Sequence, residues 1–313
     1  MKAWQLVGAN QPLQRVECDD PQPGSGQVVV DVRAAGLCHT DVGLLDGTLT
    51  DMLPKLPIIP GHEVAGVVSA IGAEVADFRV GERVVIELGP AAAPGWSTDG
   101  GFADKCLVAA GALIRLPDQI GFAQAATASD AGETAYGAVM GVGAVRPGER
   151  VGIVGLGGLG LTGARIAVLA GAEVYAAEPK QEVWDLAKQR GVVEIVEDVR
   201  QLTPLQLDVI VDFAGFGTTT AGAISAVRDN GRVIQVGLGR NEATIPTAEL
   251  VIKEVTLSGA RGGHPGALEA VLALMAAGEL TIQTETITFD GIPDAIERLN
   301  RGDVVGRLVA ETF

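Results

Sequence analysis

The ten residues from Val151 to Gly160, V-G-I-V-G-L-G-G-L-G, followed at once by L-T-G-A-R-I-A-V-L-A and Gly171, leave this chain few folds to choose from. An apolar run reads as a buried strand, the glycines as a tight turn, and the following segment as a helix that stops at Gly171. Each glycine answers a separate backbone demand: Gly155 for the turn, Gly157 for close approach of a pyrophosphate, and Gly160 for packing of the helix on its strand. Gly158 and Leu159 open the helix, whose N-terminus carries partial positive charge where phosphate would sit. The next run, A-E-V-Y-A-A-E, reads as a second strand ending in Glu178, placed where a carboxylate takes the adenosine ribose hydroxyls. With 43 glycines in the chain, G-x-G-x-x-G alone arises easily by chance, so the weight rests on the strand before, the helix after and the acid beyond. A structural βαβ unit without a nucleotide would carry the same pattern.

Downstream the alternation continues, with an amphipathic run at Gln181 to Arg190 and strand-like runs at 192–196, 208–212, 232–237 and 255–259. This predicts a doubly wound parallel sheet. Ligands of such sheets lie beyond the carboxyl ends of the strands, so Ala214 with Gly215, and Val236 with Gly237 and Leu238, are expected at the nicotinamide end of a bound dinucleotide. The same residues serve equally well as plain turn residues. Ala267 to Ala277 reads as an apolar helix ended by Gly278, its Leu and Met stripe belonging to the core.

A length of 313 residues favours two domains, and 47% hydrophobic residues is ample for their cores. From Met1 to about Leu116, short β-like runs at 27–33, 64–71 and 83–86 are punctuated by Gly and Pro, which favours a partly open, barrel-like β domain. A net charge of -16 without any basic run argues against nucleic acid as a partner. No apolar run is long enough to span a membrane and Met1-Lys-Ala-Trp-Gln lacks a signal-peptide core, so a cytoplasmic location is expected. Cys18, Cys38 and Cys106 are odd in number and widely spaced, which does not suggest a disulfide framework.

Two short segments of the β region concentrate chemistry: A-G-L-C-H-T-D-V at 35–42 and I-P-G-H-E-V-A-G at 59–66. Thiol, imidazole and carboxylates gathered in loops between strands are the donor set of zinc. Taken singly, Cys38 also reads as a small buried hydrophobe and His62 as a hydrogen-bonded core imidazole; their company favours a metal.

These segments, together with V-G-E-R-V at 80–84, D-G-G-F-A at 99–103, the glycine turn at 155–160 and G-R-L-V at 306–309, resemble the zinc-dependent alcohol dehydrogenases of the medium-chain dehydrogenase/reductase superfamily over almost the whole chain. The resemblance implies a GroES-like β-barrel catalytic domain (1–120 with 290–313) and a Rossmann domain with a doubly wound parallel sheet (121–289). It implies Cys38 and His62 as ligands of one catalytic zinc, Glu63 as a neighbour able to coordinate transiently, and Asp41 behind them. Thr40 matches the hydroxyl that receives the substrate proton, and His39 and Arg307 match groups facing the cofactor pyrophosphate. Thr134 matches the residue packed on nicotinamide.

The third zinc ligand of the family falls on Asp130 in A-S-D-A-G-E-T-A-Y, with a helix N-cap as the competing role for Asp130 and Glu133 as the competing acid. The cysteine lobe that holds a second, structural zinc in many relatives is absent, since 85–99 contains no cysteine. A histidine that relays the proton in several relatives is replaced by Gly43. The resemblance therefore implies an NAD-dependent enzyme with one zinc, acting on a small and mostly apolar alcohol, aldehyde or ketone, and assembling as a homodimer or homotetramer. Leu45, Leu49, Met52, Trp96 and Phe102 are candidates to line its pocket. A metal-free enone or quinone reductase of the same fold is the alternative, and a nucleotide-binding protein without catalysis the third possibility.

Overall fold

The computed structural model describes residues 1–89 and 93–312, so Pro90, Ala91 and Ala92 of the cysteine-free loop lie outside the described residues. The chain divides into two compact units. The first contains Met1–Asp130, Leu268–Ala277 and the chain from Ile282 onward; the second contains Ala131–Ala267 and Gly278–Thr281.

The first unit is built on a seven-stranded sheet whose axis is the strand Gln27–Leu37. Along one edge it pairs antiparallel with Glu63–Ile71, with register shifts at Val29/Val30 and Val32/Ala34. Its other edge is shared between Lys105–Ala109, which takes residues 27–31, and Arg307–Thr312, which takes residues 35–37. Such bulges bend a strand and raise its twist, which is how one long strand serves two neighbours and curls the sheet toward a barrel. The core between these strands gathers Val28, Val30, Leu37, Val64, Phe102 and Leu308. Strands reading as alternating apolar runs in the sequence begin at or beside the expected residues, but Gln27–Leu37 continues past Arg33 because its last turns are paired on both sides.

In the second unit six strands form one sheet ordered Glu194–Val196, Glu173–Ala177, Arg150–Val154, Leu207–Asp212, Val227–Gln235, Thr256–Gly259, all pairs parallel. This is the doubly wound order, with its switch point between Arg150–Val154 and Leu207–Asp212.

The segment expected to start a helix near Asp130 is already helical from Phe122. Phe122–Thr127 is α-helical, Ala128–Gly132 widens to a π-helix, Glu133–Tyr136 returns to α, and Gly137–Val142 widens again. Small residues tolerate the wider turns, and such π segments recur at functional sites. No helix among the described residues is long and apolar enough to cross a membrane.

Candidate active site

Strand pairing assembles the first cluster. The register places Gly36 opposite Glu63, so the end of Gln27–Leu37 delivers Cys38 beside the start of Glu63–Ile71, which carries His62 and Glu63. Gly36 is required here, because a Cβ on it would collide with the Glu63 carboxylate. Cys38 then caps the helix His39–Asp46. Asp41 turns its Oδ2 back to accept the Cys38 backbone N–H at 2.9 Å. Asp130 enters from the π-helical turn, and Arg307 from the strand paired with Leu37.

Cys38, His62, Glu63 and Asp130 each offer a ligand atom, and these atoms lie within 4.8 Å of one another. The Asp41 Oδ1 is 3.7 Å from His62 Nδ1, while His62 Nε2 is 3.7 Å from Asp130 Oδ2. A carboxylate behind Nδ1 fixes the imidazole so that Nε2 points into the cluster, the arrangement usual for metal-binding histidines. Arg307, 3% exposed, donates to Asp130 Oδ2 at 2.7 Å and to the Leu37 carbonyl at 3.3 Å, and lies 3.2 Å from Glu63.

Burial works against every charge here, and the partners decide which survive. Burial raises the Glu63 carboxyl well above the usual carboxylate range, and the nearby Arg307 does not reverse it. Burial also opposes ionisation of Asp130, but His62 and Arg307 hold its carboxyl far below that range. Burial alone would depress His62; Asp41, Asp130 and Cys38 raise it well above the ordinary imidazole value. The Cys38 thiol is lowered because Arg307 and His62 outweigh its burial. Neither oxygen of the buried Glu63 has a well-aligned hydrogen-bond donor, and Asp41 Oδ1 is in the same position. A thiol, an imidazole and more buried carboxylate oxygens than one guanidinium can satisfy suit a divalent cation of the zinc type. Binding one here must displace protons from the donors.

The glycine turn is the second site. Gly155 adopts φ 82°, reserved for residues without a Cβ penalty. A Cβ on Gly160 would be driven into the Gly155 carbonyl, whereas one on Gly157 would meet nothing, so the backbone there is open to a ligand. Gly157 precedes the helix Gly158–Leu169 without any side-chain cap. Glu178, buried, accepts the Leu156 N–H at 2.7 Å and the Lys180 N–H at 2.9 Å.

With this geometry in place, two family models match the chain: the alcohol dehydrogenase GroES-like domain over residues 24–118 and the zinc-binding dehydrogenase domain over 158–277. An alcohol dehydrogenase of Geobacillus stearothermophilus is 32% identical, the alignment covering 99% of each chain. This chain belongs to the medium-chain, zinc-type alcohol dehydrogenase superfamily. An alcohol dehydrogenase of the archaeon Aeropyrum pernix, known as a crystal structure, superposes with a TM-score of 0.92 at 30% identity over 99% of this chain and all of that one. An NADP-dependent alcohol dehydrogenase C of Mycobacterium tuberculosis is 25% identical over 99% of this chain and 97% of its own length.

As an oxidoreductase of the alcohol dehydrogenase type, the protein carries most of its expected site residues in two groups, the metal-type cluster and the glycine turn. Thr40 stands at the edge of the first, its hydroxyl 3.6 Å from Cys38 Sγ, while the adjacent His39 is exposed. Asp130 is not a helix cap, since a cap residue lies outside the helical backbone and Asp130 lies within it. Glu133 is buried but is not one of the four converging donors. Arg307, expected to face pyrophosphate, donates to Asp130 Oδ2 and to the Leu37 carbonyl. Thr134 is buried in the second unit, where Ala214, Val236 and Gly237 follow strand ends as expected.

Among the pocket candidates, Phe102 is fully buried in the core under Gly61, where a Cβ would strike its ring, and Leu49 also belongs to that core. Met52 is exposed, and Leu45 and Trp96 are partly buried against the core. All three cysteines are free; burial pushes the Cys106 thiol up to about 12, which leaves it an inert core residue. Two residues were missed from the sequence. Gly36 stands inside its motif, but its clash with Glu63 depends on strand register and not on neighbouring residues. Asp212 is signalled only by the threonines that follow it at 219 and 220.

Proposed function

We propose that this protein is a zinc- and NAD-dependent alcohol dehydrogenase acting on a small, mostly apolar alcohol and the matching aldehyde or ketone. The observation that carries this reading is the buried convergence of Cys38, His62, Asp130 and Glu63, with Asp41 behind the imidazole. Cys38, His62 and Asp130 would hold the metal, with Glu63 as the neighbouring donor. Bound there, zinc supplies a Lewis acid toward the alcohol or carbonyl oxygen, and NAD supplies the hydride acceptor.

The chain's own groups do the rest. Asp41 keeps the His62 ring in one orientation, and Arg307 balances the surplus carboxylate charge that burial would otherwise neutralise. The Thr40 hydroxyl, at the edge of the cluster, receives the substrate proton and passes it to solvent water, since Gly43 offers no side chain for a relay. The glycine turn takes the pyrophosphate, and Glu178 takes the adenosine ribose and disfavours a 2'-phosphate. Association as a homodimer or homotetramer is supported by the edge strand Thr256–Gly259 and by Val251 and Ile252 in the preceding helix, which are 71% and 80% exposed.

Elemental analysis paired with turnover tests this. Purified protein should hold about one zinc per chain, and Cys38→Ala should lose metal and alcohol oxidation while still binding NADH. Two tightly held zincs would refute the single-site reading. Full turnover by a metal-depleted Cys38→Ala variant would refute the zinc mechanism, and reduction of enones or quinones by that variant would identify the metal-free reductase instead.

A further inference from the structure

The strand Leu207–Asp212 ends in a carboxylate that neither the metal cluster nor the glycine turn uses. Asp212 is fully buried. Its Oδ1 accepts the N–H groups of Ala214 at 3.0 Å and Gly215 at 2.9 Å, and its Oδ2 accepts the hydroxyls of Thr219 at 2.8 Å and Thr220 at 2.9 Å. Its backbone carbonyl takes the N–H groups of Val236 and Gly237, both at 3.0 Å. The Thr220 hydroxyl also reaches Gln235 Oε1 at 2.7 Å, and the Gln235 amide donates to the Gly237 carbonyl at 2.6 Å. The carboxylate thus fixes the turn after its own strand directly and reaches the turn after the next strand through Thr220 and Gln235, while the backbone carbonyl holds Val236 and Gly237 whatever the side chain. These turns leave no slack, because a Cβ on Gly215 would enter the Gly237 carbonyl and one on Gly237 would strike the Phe213 carbonyl.

The turns lie at the switch point of the sheet. Leu207–Asp212 neighbours Arg150–Val154, the Phe213 N–H donates to the Val154 carbonyl at 2.9 Å, and a Cβ on Gly155 would sit 3.1 Å from that of Ala214. Ligands of open α/β sheets bind beyond the strand ends at this place.

We propose that Asp212 is the positioning residue for the nicotinamide end of the cofactor. It holds Ala214–Gly215 and Val236–Gly237 in one arrangement, while the glycine turn and Glu178 serve the ADP-ribose end. The inference rests on the nucleotide reading above and deepens it. Alanine at 212 leaves the Ala214 and Gly215 N–H groups and the Thr219 hydroxyl without their acceptor, while Thr220 keeps only Gln235 Oε1. Asparagine keeps an oxygen for the N–H pair and presents an amide to hydroxyl oxygens that can accept.

The test compares two probes, NADH by fluorescence titration and ADP-ribose by calorimetry, on wild type, Asp212→Ala, Asp212→Asn and Thr220→Val. Asp212→Ala should weaken NADH by on the order of tenfold to a hundredfold while ADP-ribose stays within about twofold, and Asp212→Asn should recover most of the loss. Thr220→Val should weaken NADH several-fold with ADP-ribose spared, and it decides the matter if Asp212→Ala does not fold. Equal loss of both probes would show general loosening, and no loss of NADH would show that the turns do not depend on Asp212; either overturns the proposal. Wild type that binds neither probe would instead sink the nucleotide reading beneath it.

Discussion

The pair formed by Asp130 and Arg307 offers the sharpest quantitative test of the metal-type cluster. The two atoms are 2.7 Å apart, with the side chains 13% and 3% exposed. Removing one partner of a buried ion pair costs about 3–5 kcal/mol, because the survivor is left charged and unpaired. Arg307 retains Glu63 at 3.2 Å after Asp130→Asn, so the lower end of that range, about 3 kcal/mol, is expected. For a unit of this size that is a fall in Tm of about 6–12 °C. Loss of an ordinary helix cap would cost about 1 kcal/mol and correspondingly less in Tm. The assay is thermal or urea unfolding of chelator-treated protein for Asp130→Asn, Arg307→Met and the double variant, beside zinc content measured without chelator. The double variant should be more stable than the sum of the singles predicts, with a coupling on the order of 2–3 kcal/mol, since removing both members leaves neither partner of this pair behind as an unpaired charge. Asp130→Asn should also lose zinc, whereas Arg307→Met keeps all four donors and should retain it. Single effects that add within about 0.5 kcal/mol, or an Asp130→Asn variant with full metal, would refute the reasoning.

Three further outcomes are expected. Initial rates with both cofactors should favour NAD over NADP by on the order of tenfold or more in kcat/KM, because the buried Glu178 faces a 2'-phosphate with like charge; equal or better kcat/KM with NADP would remove Glu178 from that role. Gly160→Ala should abolish NADH binding or prevent folding, since its Cβ meets the Gly155 backbone, which cannot yield as a side chain can; a variant with normal NADH affinity would contradict the turn geometry. Asp208 has its carboxyl lowered: burial would raise it, but the Arg150 N–H at 2.8 Å and Arg228 Nε at 2.7 Å outweigh that. Its stabilising contribution is therefore complete above the unfolded value of about 4 and lost as pH falls through the folded value. Melting curves of Asp208→Asn should lie below wild type at neutral pH and converge with it in acid, and a gap that persists at the lowest pH would contradict the sign.

What was legible in the sequence follows from the range over which each constraint acts. The glycine turn at 155–160 could be read because strand, turn, helix and acid are neighbours in the chain, and each glycine answers a local backbone demand. Cys38 and His62 were legible as chemistry but not as geometry, since what joins them is the register of Gly36 on Glu63. The widening of the helix at Ala128–Gly132 was not legible at all. Small residues permit a π turn without demanding one, so in the sequence Asp130 reads as a zinc ligand with a helix cap as the competing role, and only the start of the helix at Phe122 removes the cap.

The direction taken by Arg307 shows the same limit from the other side. A motif aligns this arginine with a phosphate-facing role, and its contacts to Asp130 and Leu37 rest on three long-range facts: the pairing of Leu308 with Leu37, the entry of Asp130 from the helical run, and burial that makes an unpaired carboxylate expensive. None of these is encoded within a few residues of position 307. At Asp212 the four carboxylate bonds are local, reaching no further than Thr220, whereas its backbone carbonyl crosses to Val236 and Gly237, more than twenty residues on in the chain. Short-range patterns therefore point to the two candidate sites, while the charge balance inside the first and the hydrogen bonds beside the second depend on strand order, which brings together acids and donors that no single motif contains.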